Sequence, residues 1–317
     1  MEKELRIICP GVDSAKEERV KQLFGSISNW VYSNELRSLV ELFGGKINTN
    51  VQLKELIEYL NSFAEVWDYR RIQANGGERW NVYDDVFVEK KSGAIMKLVE
   101  KLGLKNITEP NFSPDYILPL GGARMSNLFR PQYAKVISDK NTSKKHCVVA
   151  LGGMRPISDV EKEAVFTYAP KALTEYDAIC AGLEQSFYLN NHRYNEDVCN
   201  EDNNNLSWAI RNYDGTDYYV VAAPSTSPNR RANSMDTFEF FLDTFDIKKG
   251  DKVLLVTSCI YVPFQFLKFM KLALEKELII DCVGTPYNGN NFLKTSNYLQ
   301  EIKATINAIK SLSDIYL

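Results

Sequence analysis

The feature that most constrains the fold of this chain is a series of short, apolar runs that alternate with helical segments. The runs cover residues 115–120, 147–151, 218–223, 253–256 and 278–283, and the helical segments cover 132–137, 173–190, 234–245 and 264–277. Strands that are apolar at nearly every position are covered on both faces. Strands that alternate with helices form right-handed crossovers and a parallel sheet. The sequence therefore predicts an α/β fold with a doubly wound, mostly parallel five-stranded sheet, Rossmann-like, in three α/β/α layers.

The chain before these runs has a different pattern. Segments 17–24, 34–43, 51–67 and 93–102 carry apolar residues at a spacing of three to four, as amphipathic helices do. We therefore predict two parts, a helical N-terminal region at 1–112 and the Rossmann-like α/β domain at 113–317. Within the second part, residues 191–212 are rich in Asn, Asp and Glu, which favours a solvated loop over a cation site because the spacing of an EF-hand is absent.

Composition excludes several classes of protein. The net charge is -3, which is unlike the basic surface of a nucleic-acid-binding protein. The N-terminus lacks the apolar core of a signal peptide, and the most apolar stretch, 253–267, is too short to cross a bilayer. The six cysteines form no C-x-x-C pair, and their apolar neighbours suit buried thiols in a reducing compartment. We expect a cytoplasmic protein with no nucleic-acid or membrane partner.

A five-residue pattern recurs at the ends of the first two runs. Leu-Gly-Gly-Ala-Arg ends the first run and Leu-Gly-Gly-Met-Arg ends the second, and the residues of interest are Gly121, Gly122, Arg124, Gly152, Gly153 and Arg155. Paired glycines let the backbone turn sharply and approach a ligand, and an arginine just beyond can hold a phosphate or carboxylate. The simpler interpretation is a tight turn after each strand. The repetition favours a ligand site, although neither copy is a dinucleotide-binding or P-loop motif.

Polar residues also follow the later strands. Thr257 and Ser258 end the fourth run, and their hydroxyls either face the ligand crevice of an open α/β sheet or cap the next helix. Ser225 and Arg230 lie in a loop before a helix, where an anion would bind, or are parts of a solvated loop. Glu175 begins another helix, where a carboxylate complements the helix dipole or acts as a general base. We predict Glu175 as the candidate catalytic residue and no metal site, because no His, Cys and carboxylate spacing suits a metal.

Taken in order, residues 115–286 resemble the bacterial domain-of-unknown-function family typified by YdcF, SanA and ElyC. The matching elements are the Gly121-Gly122 turn with Arg130 and Ala134, the Gly152-Gly153 turn, the helix start 174–177, the segment 225–232 and the segment 256–265. The chain departs from the family at two motifs. Arg230-Arg231 replaces a Glu-Asn pair, and Tyr261 and Phe264 replace a His and an Arg.

The resemblance implies a Rossmann-like domain that binds a nucleoside-type or phosphorylated small molecule, with S-adenosylmethionine or a nucleotide as the candidate cofactor. Our first hypothesis is a protein that binds a small anionic molecule, with catalysis on a nucleotide-like or phosphorylated substrate left open. Arg124, Arg155 and Arg230 would then stabilise charge. The alternative is a non-catalytic binding or regulatory protein that has lost the family's histidine and uses its helical region for a partner or self-association. A homo-oligomer is compatible with both hypotheses.

Overall fold

The structure is a computed structural model that describes residues 5–9, 15–72, 79–105, 107–142, 145–285 and 293–317. It has two compact units. Unit 1 comprises residues 1–108, 259–275 and 286–317, and unit 2 comprises residues 109–258 and 276–285. The predicted division at residue 112 remains a prediction, and the two compact units group the C-terminal helices with the N-terminal ones.

The helices and strands follow one another in a simple order along the chain. The helices are α1 Lys16–Val31, α2 Asn34–Leu42, α3 Leu53–Phe63, α4 Tyr69–Ile72, α5 Val86–Lys101, α6 Ser126–Lys140, α7 Asp159–Val165, α8 Glu175–Phe187, α9 Ser234–Thr244, α10 Val262–Glu275 and α11 Thr295–Tyr316. The strands are β1 Tyr116–Pro119, β2 Cys147–Gly153, β3 Tyr194–Cys199, β4 Trp208–Tyr213, β5 Tyr218–Ala223, β6 Lys252–Ser258 and β7 Ile279–Thr285.

Unit 1 is helical, as its sequence periodicity predicts. Its longest helix, α11, packs against α3, α5 and α10. The apolar residues of α11 repeat every three or four positions and are buried, namely Leu299, Ile302, Ile306, Ile309 and Leu312. Helix α5 begins earlier than the predicted residue 93, because the Asp85 side chain accepts a hydrogen bond from the Val88 amide and caps the helix at that point.

Unit 2 is built on one sheet with the strand order β3-β4-β5-β2-β1-β6-β7. The predicted α/β class is confirmed, but the predicted five-stranded sheet is wrong. Within the described residues the sheet has seven strands. The pairs β1–β2, β1–β6, β2–β5 and β6–β7 are parallel, and the pairs β3–β4 and β4–β5 are antiparallel.

The two additional strands come from the segment that we predict to be a solvated loop, and that prediction is wrong. Its polar side chains are paired with one another across the hairpin. Arg211 of β4 forms salt bridges with Glu196 of β3 and Glu184 of α8, and its guanidinium carbon lies 4.0 Å from the centre of the Tyr194 ring. A strand held by cross-strand charge pairs shows no apolar run, so the apolar pattern could not reveal it.

Helices cover both faces of this sheet. On one face α6 and α8 enclose a core that includes Ile117, Val148 and Val220 of the strands and Ile179 and Leu183 of α8. Because side chains alternate along a strand, the neighbouring residues point to the other face. There Tyr116 packs against Phe241 of α9, and Tyr219 packs against Phe245, which follows that helix. Tyr116 and Tyr219 lie at the amino ends of β1 and β5, so this packing is at the opposite end of the strands from their carboxyl ends.

Candidate functional site

Most of the predicted site residues lie at one edge of the sheet of unit 2. Strands β5, β2, β1 and β6 are adjacent and parallel, so their carboxyl ends share that edge. The glycine pairs follow β1 and end β2, Ser225 follows β5, and Thr257 and Ser258 end β6. Strand β1 lies between β2 and β6, so the strand order reverses direction at β1. Open α/β sheets bind ligands at such a point.

The first glycine turn is closely packed against the second. The Gly121 amide donates a hydrogen bond to the Leu151 carbonyl. A Cβ atom at Gly121 would lie 2.3 Å from Glu175 Oε1 and 2.7 Å from the Leu151 carbonyl oxygen. Only glycine fits there, because the backbone at Leu151 cannot move away. At Gly153, by contrast, a Cβ atom would meet nothing within 4 Å, so this turn is open on one side.

Arg155 connects the loops around this edge. Its Nη1 and Nη2 atoms donate to the two carboxylate oxygens of Glu161, each over 2.8 Å, and its Nε donates to Glu175 Oε2. Nη2 also donates to the Gly122 carbonyl oxygen over 3.3 Å. The side chain of Arg155 is 15% exposed. A ligand anion would therefore compete with two carboxylates for this guanidinium.

The carboxylates change the ionisation of this cluster. Burial raises the pKa of Glu161, but hydrogen bonds from Arg155 and Ser158 outweigh burial and lower the pKa to about 2. Burial lowers the pKa of Arg155, yet the nearby charges of Glu175 and Glu161 raise it well above its ordinary value. Glu161 and Arg155 are thus both charged at neutral pH and form an ion pair.

Two side chains of α6 that sequence reasoning assigned no site role hold the first glycine turn. The Asn127 side chain accepts from the Gly122 amide over 2.9 Å and donates to the Gly122 carbonyl over 2.8 Å. Arg130 is buried, donates to the Leu120 and Gly121 carbonyls, and reaches Ser258 Oγ with Nη2 over 3.2 Å. The predicted helix began at residue 132, whereas α6 begins at Ser126. The resemblance already named Arg130, and a helix start placed next to the glycine turn would also have found Asn127.

Ser225 and Arg230 form a separate group at the start of α9. Arg230 donates to both oxygens of Asp236 and to Thr226 Oγ1. Burial raises the pKa of Asp236, but hydrogen bonds from Arg230, Asn233 and Thr226 lower it overall to well below its usual range. Asp236 thus takes the place of the anion that we predict at this helix start. Ser225 is buried, and its Oγ accepts from the Ser227 amide over 3.2 Å.

The remaining predicted residues have different environments. Arg124 is half-buried, has a left-handed backbone with φ of 56°, and its carbonyl accepts from the Tyr168 hydroxyl over 2.9 Å. Thr257 is fully buried, and its hydroxyl makes no hydrogen bond with the described part of the chain. The structure therefore brings together the glycine turns, Arg155, Glu175 and Ser258. Pro286, the last residue of the predicted resemblance, lies outside the described residues.

None of the helices traced in the structure is both long enough and apolar enough to cross a membrane. Within the described ranges, no group of three or more His, Cys, Asp or Glu side chains is placed to hold a metal ion.

Comparison with known proteins places the chain among relatives from mycobacteria. A family model described as the Rv3785 N-terminal domain matches residues 14–103. The uncharacterized protein Rv3785 of Mycobacterium tuberculosis is 30% identical over 338 aligned positions, which cover 97% of this chain and 94% of that protein. The uncharacterized protein Mb3814 of Mycobacterium bovis shows the same identity and coverage. No solved structure matches the chain. Because the similarity to Rv3785 extends over nearly the whole of both chains, this chain belongs to the Rv3785 family.

Proposed function

We propose that the chain binds a small nucleoside-type molecule at the carboxyl ends of β1 and β2, with Glu175 as its main polar contact. The observation that carries the proposal is the state of the Glu175 carboxylate. Its Oε2 atom is fixed by Arg155, whereas Oε1 accepts no hydrogen bond from the described residues and lies beside Gly121 and Gly152. Oε1 is thus an oriented acceptor with no partner among the described residues, at the edge where α/β sheets bind ligands.

The chemistry of this acceptor favours a ligand that donates hydrogen bonds. A carboxylate near the glycine turn holds ribose hydroxyls in dinucleotide-binding α/β folds, and Glu175, at the start of α8, lies beside the glycine turn after β1. Arg155 already donates to the carboxylates of Glu161 and Glu175, which disfavours a phosphate directly at Arg155. A phosphate group of a nucleotide would instead lie toward Arg124, which is half-buried at the same turn. These features support a nucleoside or nucleotide, including S-adenosylmethionine, more than a sugar phosphate.

One contact supports the proposed kinship with the YdcF, SanA and ElyC family. Arg130 lies in the first motif of that resemblance and Ser258 in the last, and the two side chains are hydrogen-bonded at the same strand edge. Motifs that are 128 residues apart in sequence therefore meet beside the glycine turn.

A titration of adenosine against the intact protein tests the proposed site. Adenosine should bind more tightly than 2′,3′-dideoxyadenosine, because only adenosine donates ribose hydroxyls to Glu175. Glu175→Gln should weaken adenosine binding by about 1.5–3 kcal/mol, the usual worth of a hydrogen bond to a charged group. Isothermal titration calorimetry measures both affinities.

The control is Glu163→Gln, since Glu163 is an exposed carboxylate on α7, and this variant should bind as the unchanged protein does. In Glu175→Gln the preference for adenosine over the dideoxy analogue should shrink. Equal binding of the two nucleosides to the unchanged protein, or an unaltered preference in Glu175→Gln, would contradict the proposed role of Glu175.

The proposed site is compatible with conversion of the bound ligand, and the second candidate function is binding without turnover. It is favoured because Arg155 and Arg230 are each engaged by carboxylates of the chain, which leaves fewer cations to stabilise a reaction. Tyr261 and Phe264 also stand where the resembling family has a histidine and an arginine. Incubation with AMP, ATP or S-adenosylmethionine, followed by mass spectrometry of the small molecule, separates the two functions. A binding protein returns the compound unchanged.

A further inference from the structure

A groove lies on unit 1, between two helices that the proposed function does not use. Helices α10 and α11 pack side by side, and their solvent-facing sides enclose a space of about 420 Å³. Its lining includes Phe264, Lys268 and Lys271 of α10 and Ala304, Ala308 and Leu312 of α11.

The sequence explains why a groove forms there. Residues 304, 307, 308 and 311 share one face of α11, because residues three and four apart are neighbours on a helix. Ala304, Ala308 and Ser311 have small side chains, so they leave space in front of the facing helix. Leu267 and Leu312 are almost wholly buried and supply an apolar base. The groove is therefore a consequence of small residues at one helical spacing opposite larger ones.

The charge of the groove has one sign. Its lining includes two lysines and no carboxylate. Lys268 Nζ lies 5.6 Å from the centre of the Phe264 ring. Lys271 is exposed and forms no salt bridge with the described residues. An apolar groove with a cation at its rim complements a molecule that is apolar along its length and anionic at its end.

We infer that this groove binds a single-chain fatty carboxylate, with the aliphatic chain over Ala304 and Ala308 and the carboxylate beside Lys271. The volume falls in the range of small-molecule sites, roughly 300–1,000 Å³. A partner helix is wider, about 10 Å across with its side chains, and suits a shallower and longer surface. The inference concerns unit 1 alone and does not depend on Glu175.

Titration of the intact protein with fatty carboxylates tests the inference. Decanoate, dodecanoate and tetradecanoate are titrated below their micelle concentrations in a calorimeter. Each added methylene should tighten binding about threefold to fourfold until the groove is full, as burial of a methylene predicts. Dodecan-1-ol and dodecyltrimethylammonium should bind more weakly than dodecanoate, because neither carries a negative head group.

Two variants with matched controls locate the binding. Ala308→Leu places a side chain in the groove and should abolish dodecanoate binding, whereas Ala94→Leu on the exposed side of α5 should not. Lys271→Glu should weaken binding about twofold to fivefold, as expected for an exposed ion pair. It should also reduce the loss of affinity that added salt causes, because the attraction between Lys271 and the carboxylate is gone. Lys97→Glu, at an exposed position of α5, should retain both the affinity for dodecanoate and its dependence on salt concentration.

Several results would overturn the inference. If dodecanoate binds the Ala308→Leu variant as tightly as the unchanged protein, it occupies some other surface. If dodecan-1-ol or dodecyltrimethylammonium binds as tightly as dodecanoate, Lys271 does not select the head group. Sedimentation that shows a dimer converted to a monomer by Ala308→Leu means that a second copy of the chain fills the groove. Absence of any dodecanoate binding also refutes it.

Discussion

At the scale of single residues, the arginines of this chain differ most from their predicted role. Sequence position predicts that Arg155 and Arg230 meet a ligand anion, yet each holds a carboxylate of the chain in a two-pronged hydrogen bond. The pattern predicts the carboxyl edge of the sheet but not the partner of either arginine, because Glu161 and Asp236 are six residues away in sequence and carry no motif. Buried carboxylates of this kind make stability depend on pH.

Glu161 provides a prediction for acid conditions. Its pKa is about 2 in the folded chain against an ordinary value of 4.5. The folded state thus favours the ionised form, so its stabilisation is complete above pH 4.5 and is lost as the pH falls toward 2. Between pH 6 and pH 3 the free energy of unfolding should lose about 2 kcal/mol through this group. Urea unfolding at both pH values measures it.

The variant Glu161→Gln isolates the contribution of Glu161 to this loss of stability. It should be less stable than the unchanged protein at pH 6, because one partner of Arg155 loses its charge, and the gap between the two should shrink at pH 3. Glu163→Gln, on the exposed side of the same helix, should follow the unchanged protein throughout. A gap of constant size from pH 6 to pH 3 would show that Glu161 does not titrate as its contacts imply.

At the scale of helices and strands, the sequence predicts the parallel strands well and the hairpin poorly. Strands β1, β2, β5, β6 and β7 are buried on both faces and show as apolar runs. The hairpin of β3 and β4 is stabilised by charge pairs and tyrosines, so its polar composition resembles that of a loop. The same apolar runs predict that the glycine turns lie at the carboxyl ends of the strands. They do not predict that Asn127 and Arg130 support those turns, because that depends on where α6 begins.

Gly182 shows how closely the helices on one face of the sheet approach each other. It lies inside α8, where a Cβ atom would be 1.8 Å from the Asn127 carbonyl oxygen of α6. Alanine inside a helix normally stabilises it by about 0.5–1 kcal/mol relative to glycine. Here Gly182→Ala should instead destabilise the protein by about 1–3 kcal/mol, the usual cost of overpacking. It should also weaken the binding of any ligand at the glycine turn, because the Asn127 side chain holds Gly122 in place.

The matched variant is Gly93→Ala in α5, where a Cβ atom would meet nothing within 4 Å. This change should raise the melting temperature, while Gly182→Ala lowers it, in the same thermal unfolding experiment. If the two substitutions shift the melting temperature in the same direction, the approach of α6 and α8 is not as close as the backbone contact requires.

At the scale of the whole molecule, the division into units does not follow the order of the chain. The polypeptide passes from one compact unit to the other after residues 108, 258, 275 and 285. Helices α10 and α11 come from the last fifth of the sequence, yet they complete the unit that the N-terminal helices begin. Apolar periodicity assigns each helix a buried face, but it does not say which distant segment covers that face.

This arrangement gives a prediction for fragments of the chain. The fragment 113–317 corresponds to the predicted α/β domain, but it retains α11 without α3 and α5, against which α11 packs. Leu299, Ile302, Ile306 and Ile309 would lose part of their cover, and an exposed apolar face of that size promotes aggregation. We expect the fragment to be insoluble or molten when it is expressed alone. Co-expression with fragment 1–112 should restore a soluble complex with a cooperative thermal transition, because α3 and α5 then cover α11 again. A fragment 113–317 that is monomeric by sedimentation and unfolds cooperatively by itself would instead establish the boundary at residue 112 and show that α11 does not need the N-terminal helices.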